Sequence, residues 1–175
     1  MNFDVKIVCR EINDLLWHLE KTLSTAESCT AGRISSAITT IPGSSNFYKG
    51  GLVCYWTELK ETYLGVDPVV VDRETVVSET VVRQMVVGAN KMFGTDYAVA
   101  ISGFAGPGGS DSNAPVVVPV GTIWIAVGYE GNIRTLKLTE DQGRERNLDV
   151  ASACALRLLH EFLKAEAQDA KEAEV

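Results

Sequence analysis

Positive charge is scarce in this chain of 175 residues: 16 Lys and Arg stand against 23 Asp and Glu, a formal net charge of −7. Binding along a phosphate backbone draws its affinity from clustered cations that release counterions, so direct nucleic-acid binding is not expected. Histidine is rarer still, with His18 and His160 alone, and the four cysteines, Cys9, Cys29, Cys54 and Cys154, form no C-x-x-C pair. Such a set argues against a zinc site; neither a metal nor a cofactor is expected. Long apolar runs are also missing. Stretches such as 69–71 and 116–120 fall far short of the roughly 20 residues a membrane span needs, and Asp4 and Glu11 interrupt the N-terminus, so neither anchor nor signal peptide is expected. Scattered cysteines without an export signal are expected to be reduced and buried, which places the protein in the cytoplasm.

What is present has the balance of one globular domain, with 46% hydrophobic and 22% charged residues. Val8, Ile12, Leu15, Leu16 and Leu19 recur at helical spacing and predict an opening helix over about 5–22. A short strand at 23–28 and a helix through Ile34 and Ile38, stopped by Pro42 and Gly43, follow. Then come a strand at 51–57, a short helix at 58–64 and an unassigned register beyond Pro68. Ser78 can cap a longer helix that Gly94 ends. The apolar run 97–102 suits a central strand, and 122–129 with 133–139 reads as a hairpin. A last helix spans about 144–165. The tail 166–175, in which Ala, Glu, Asp, Lys and Gln dominate without an apolar face, is expected to be frayed helix or disordered. Helices separated by strands, plus one hairpin, predict an α/β fold: a single three-layer α/β/α domain over 1–165 with a mixed β-sheet.

Three segments carry chemistry. In TAESCTAG, 25–32, a strand runs into a helix, a junction that aims backbone N–H groups outward; Ser28, Cys29, Thr30 and Gly32 are candidate phosphate contacts, or simply a capped helix start. The segment 42–60 places Ser44 and Ser45 in a loop, Tyr55 near the end of the next strand and Lys60 on the following helical turn. Neither serine has a histidine partner, so a nucleophilic serine here needs a lysine base; a glycine–proline turn with surface Ser and Lys is the plainer alternative. ISGFAGPGG, 101–109, leaves the central strand, where ligands of open α/β sheets lie, and offers Gly103, Ala105 and Gly106. It matches neither the Walker nor the Rossmann glycine pattern.

Taken in order, TAESCTAG, PGSS with F-x-x-G-G and Y-x-x-x-x-K, VVSE, SGFAGPGG and PVGT closely resemble the CinA C-terminal domain family over roughly 10–165. The resemblance implies a nicotinamide-nucleotide amidase, converting nicotinamide mononucleotide to nicotinate mononucleotide and ammonia without a metal, and a homodimer. By position it makes Ser45 the nucleophile, with Ser44 its rival, Lys60 the general base and Tyr55 a supporting hydroxyl; Arg144 or Arg146 is a candidate for the substrate phosphate. The chain departs from the family pattern at Ala31, where glycine is usual, at Val118, where lysine is common, and in QGRERN, which lacks the usual Gly-Asp-Arg run. A non-catalytic nucleotide-binding module and a regulatory partner of the recombination machinery are the alternative functions, against which the intact Ser45, Tyr55 and Lys60 weigh.

Overall fold

The computed structural model describes residues 3–110 and 116–173. Five strands form one sheet: β1 (Leu23–Glu27), β2 (Tyr48–Val53), β3 (Tyr97–Gly103), β4 (Ile123–Tyr129) and β5 (Asn132–Leu138), in the order β2-β1-β3-β4-β5. β1 pairs in parallel with both β2 and β3, whereas β4 is antiparallel to β3 and to β5, so the sheet is mixed. On one face lie α1 (Phe3–Leu19), α2 (Arg33–Thr39) and α6 (Arg144–Ala173); on the other lie α3 (Thr57–Leu64), α4 (Pro68–Glu74) and α5 (Glu79–Phe93).

Side-chain alternation along the strands sets the two faces apart. Leu23, Val99, Ile101, Ile123, Ile125 and Val127 point toward α1, α2 and α6, while Ala26, Ala98, Ala100 and Ala126 point toward α5. The alanine face lets α5 come close. On its other side α5 meets α3 at Gly88, where a Cβ would stand 2.0 Å from the Leu64 carbonyl oxygen. Ser78 caps α5 by accepting the Val81 N–H, and Gly94 ends it in the left-handed conformation.

Three segments differ from their expected course. β2 begins and ends earlier than 51–57, and Gly51 is needed within it because a Cβ there would lie 2.1 Å from Thr25 Oγ1 and 2.6 Å from the Tyr48 hydroxyl. Beyond the unassigned register, α4 forms because Asp67 accepts the Val69 N–H at 2.9 Å and Pro68 occupies the first helical turn. The final helix continues to Ala173, past the expected boundary at 165. Ala, Glu, Gln and Lys there are good helix formers, and Glu166 accepts hydrogen bonds from the Tyr97 hydroxyl and the Asn132 amide, each at 3.0 Å.

Candidate active site

Because β1, β2 and β3 are parallel, their C-terminal ends lie on one edge of the sheet, and the segments leaving them meet there with the start of α6. β1 ends at Glu27, whose side chain is buried. A buried carboxylate requires several donors. Glu27 has five: one oxygen accepts from the Thr30 hydroxyl, the Gly32 N–H and the Ile34 N–H, and the other from the Ser35 N–H and hydroxyl. The helix start at Gly32 has no side-chain cap of its own, so Glu27 satisfies the free N–H groups of α2 and fixes the turn 28–32. Thr30 is thereby committed to Glu27, and Ala31 is held at φ 49°.

Ser28 opens that turn and lines a cavity of about 240 Å³ together with Cys29, Tyr55, Lys60, Ala105 and Arg144. Lys60 is buried at 1% exposure, and its ammonium donates to the Cys54 carbonyl at 2.8 Å. Among the described residues no carboxylate lies within ion-pair distance of it. Burial pushes the Lys60 pKa below the ordinary lysine value, against a smaller opposing influence of Cys54, Cys29 and Glu58. The Cys29 thiol, also at the cavity, is pushed up by burial to about 12 and holds its proton.

Across the mouth, Arg144 donates to the Gly106 carbonyl at 2.7 Å and to the half-exposed Tyr55 hydroxyl at 3.3 Å. Asn147 fixes the same loop by donating to the Ala105 carbonyl at 3.0 Å. Ser102, at 1% exposure, donates to the Val76 carbonyl, whereas Ser28, also buried at 8%, lines the cavity without such a commitment of its hydroxyl among the described residues. Gly103 is required by packing, since a Cβ would fall 2.5 Å from the Ile123 side chain. Gly32, at φ 95°, faces a different groove behind the turn.

Ser44 and Ser45 are not brought to Lys60. They lie in a 3-10 turn, Ser44–Asn46, before β2, whereas Lys60 follows β2. Six strand residues at roughly 3.3 Å each separate the two ends by about 20 Å. A loop entering a strand and a helix leaving it occupy opposite edges of the sheet, so no Ser45–Lys60 pair is assembled; the parallel neighbour β1 delivers Ser28 to the lysine's edge instead. The structure also separates the two candidate arginines, Arg144 at the cavity and Arg146 at the groove behind it. Glu27 lies within TAESCTAG and Asn147 within QGRERN, yet neither stands out there as a candidate; an acid closing a buried strand just before a helix without a side-chain cap is the available signal for Glu27.

The family model described as CinA C-terminal domain matches residues 6–163. A CinA-like protein of Flavobacterium psychrophilum is 40% identical over 154 residues, covering 87% of this chain and 36% of that protein. One of Mycobacterium leprae is 43% identical over 144 residues, covering 80% and 34%. The chain thus spans about a third of the length of these curated relatives. Among solved structures, a CinA superfamily protein of Klebsiella pneumoniae aligns with a TM-score of 0.85 at 30% identity, covering 94% of this chain and 99% of that one. The competence/damage inducible protein CihA of Agrobacterium tumefaciens aligns at 0.84 and 32% identity, covering 94% and 98%.

Proposed function

This chain belongs to the CinA C-terminal domain family, and from that premise we propose that it is a hydrolase of carboxamide C–N bonds, a nicotinamide-nucleotide amidase, with Ser28 rather than Ser45 as its nucleophile. The observation that carries this reading is a buried lysine, without a carboxylate partner among the described residues, that lines one cavity with a serine whose hydroxyl is not engaged there. Desolvation favours neutral Lys60, and a neutral amine can take the Ser28 proton as the hydroxyl oxygen attacks the carboxamide carbon.

The tetrahedral oxyanion that forms is stabilised by the Cys29 and Thr30 N–H groups, since those of Ala31, Gly32 and Ile34 already donate to Ser28 and Glu27 and hold the turn in place. Collapse breaks the C–N bond; the lysine returns its proton to the departing nitrogen, and ammonia leaves. Water, deprotonated by the same lysine, then hydrolyses the serine ester to nicotinate mononucleotide. Arg144 stands at the mouth with a guanidinium suited to a phosphate, and Tyr55 beside it orients ribose or relays protons. Incubation of the protein with nicotinamide mononucleotide, with ammonia and nicotinate mononucleotide both measured, tests the proposal: equal amounts of the two products are expected, and no ammonia above a protein-free control refutes it.

A further inference from the structure

Behind the turn 28–32 lies a larger concavity, of about 810 Å³, that the amidase reading does not use. It runs between α2 and α6, with Ala37, Ala153 and Leu156 among its apolar lining and three guanidinium groups, of Arg33, Arg146 and Arg157, around it. Asp149 is the one carboxylate in its lining and pairs with Arg33, so three positive charges less one negative leave two uncompensated, in a chain whose net charge is −7. Its volume lies within the range of small-molecule sites, roughly 300–1,000 Å³, and far exceeds what inorganic phosphate fills. Planar guanidinium groups match phosphate oxygens two at a time, and small apolar side chains offer a flat surface to a ring.

We propose that this groove binds an anionic organic ligand of the nucleoside diphosphate class, and that its occupancy alters turnover in the neighbouring cavity. The coupling lies in two shared segments. Gly32 and Arg33 in the groove follow Ser28 and Cys29 in the cavity on one turn, and Arg146 follows Arg144 by two residues on the first turn of α6. A ligand drawing on Arg33 and Arg146 therefore acts on the segments that carry the cavity hydroxyl and the mouth guanidinium. The effect on turnover rests on the amidase reading; the binding does not.

The test uses ADP as probe with the full chain at fixed ionic strength, by calorimetry and then by kinetics. Saturable binding is expected, weakened about tenfold or more in Arg157→Ala, the loss of roughly one charge-assisted hydrogen bond. With nicotinamide mononucleotide saturating, ADP is expected to change kcat in the parent and to leave Arg157→Ala, whose basal turnover matches the parent, unaffected. ADP binding in a protein without amidase activity would support the site and count against the function proposed above. Absence of saturable binding, full affinity in Arg157→Ala, equal displacement of ADP by the same concentration of inorganic phosphate, or purely competitive inhibition against the substrate would each overturn the proposal.

Discussion

Burial acts on Lys60 and Cys29 in opposite chemical directions, although they share one cavity. Removing water disfavours whichever form is charged, so the amine gives up its proton more readily and the thiol holds its own. This suits Lys60 to the role of base proposed for it and Cys29 to that of an unreactive wall. Activity should therefore rise with pH as Lys60 loses its proton, on a limb lying below the ordinary lysine value. Lys60→Arg, which keeps the charge but cannot release a proton, should be inactive across the whole profile. Stability has the same sign: between the lowered folded pKa and the ordinary unfolded value the unfolded chain binds the extra proton, so unfolding becomes harder as pH rises through that window. Lys60→Met should flatten this dependence in thermal melts taken across the alkaline range; an unchanged slope would show that the lysine is not the group responsible. Lys60, Tyr55, Arg144 and Ser28 are all legible in the sequence as candidates. The proposal keeps the roles that the resemblance implies for the first three and differs at the serine, since the resemblance by position implies Ser45 while parallel pairing of β1 with β2 brings Ser28 to the cavity that Lys60 lines. Glu27 escapes sequence reading for a related reason: five donors converge on it from turn and helix, and no spacing encodes that convergence.

Elements with strong hydrophobic period or clear caps are legible in the chain: α1, α5, β3 and the hairpin β4–β5 form close to where their patterns put them. Those that hide do so for identifiable reasons. α4 begins with Pro68 followed by three valines, a run whose β-branched side chains argue for strand, and the Asp67 cap with proline after it decides for helix. β2 is misplaced because Gly50 and Gly51 are poor strand formers, of which Gly51 is required by a close approach to Thr25 and Tyr48. That offset of a few residues does not decide the site, since with either set of bounds the strand lies between Ser45 and Lys60 and holds them at opposite edges of the sheet. Helix packing on the alanine face gives a sharper check. Gly88→Ala in α5 sets a methyl group against the Leu64 backbone, which a rotamer change cannot relieve. A loss of roughly 1–3 kcal/mol is expected in denaturant unfolding, and because Leu64 ends the helix carrying Lys60, turnover should fall as well. A neutral effect on both would contradict the close α3–α5 contact.

At the level of the whole molecule, one long helix joins the site to the far end of the sheet. α6 begins with Arg144 at the cavity mouth and, past residue 165, hands Glu166 to Tyr97 and Asn132. Removing residues 166–175 should leave the buried Tyr97 hydroxyl without its partner and cost about 1–3 kcal/mol; a truncated chain as stable as the parent would show that the extension contributes nothing. The three-layer α/β/α architecture is legible as a whole because alternating helices and strands admit few arrangements. The site is only partly legible, because the sheet edge on which a segment lies depends on strand order and direction, which no local pattern contains. Parallel pairing of β1 with β2 brings Ser28, and not Ser45, to the cavity that Lys60 lines, and the proposed nucleophile rests on that placement. Ammonia release from nicotinamide mononucleotide by Ser28→Ala and Ser45→Ala, compared with the parent at matched folded concentration, tests it most directly. Ser28→Ala should lose about a thousandfold or more in kcat while Ser45→Ala stays within about twofold, as surface substitutions do; an active Ser28→Ala beside an inactive, folded Ser45→Ala would contradict the account.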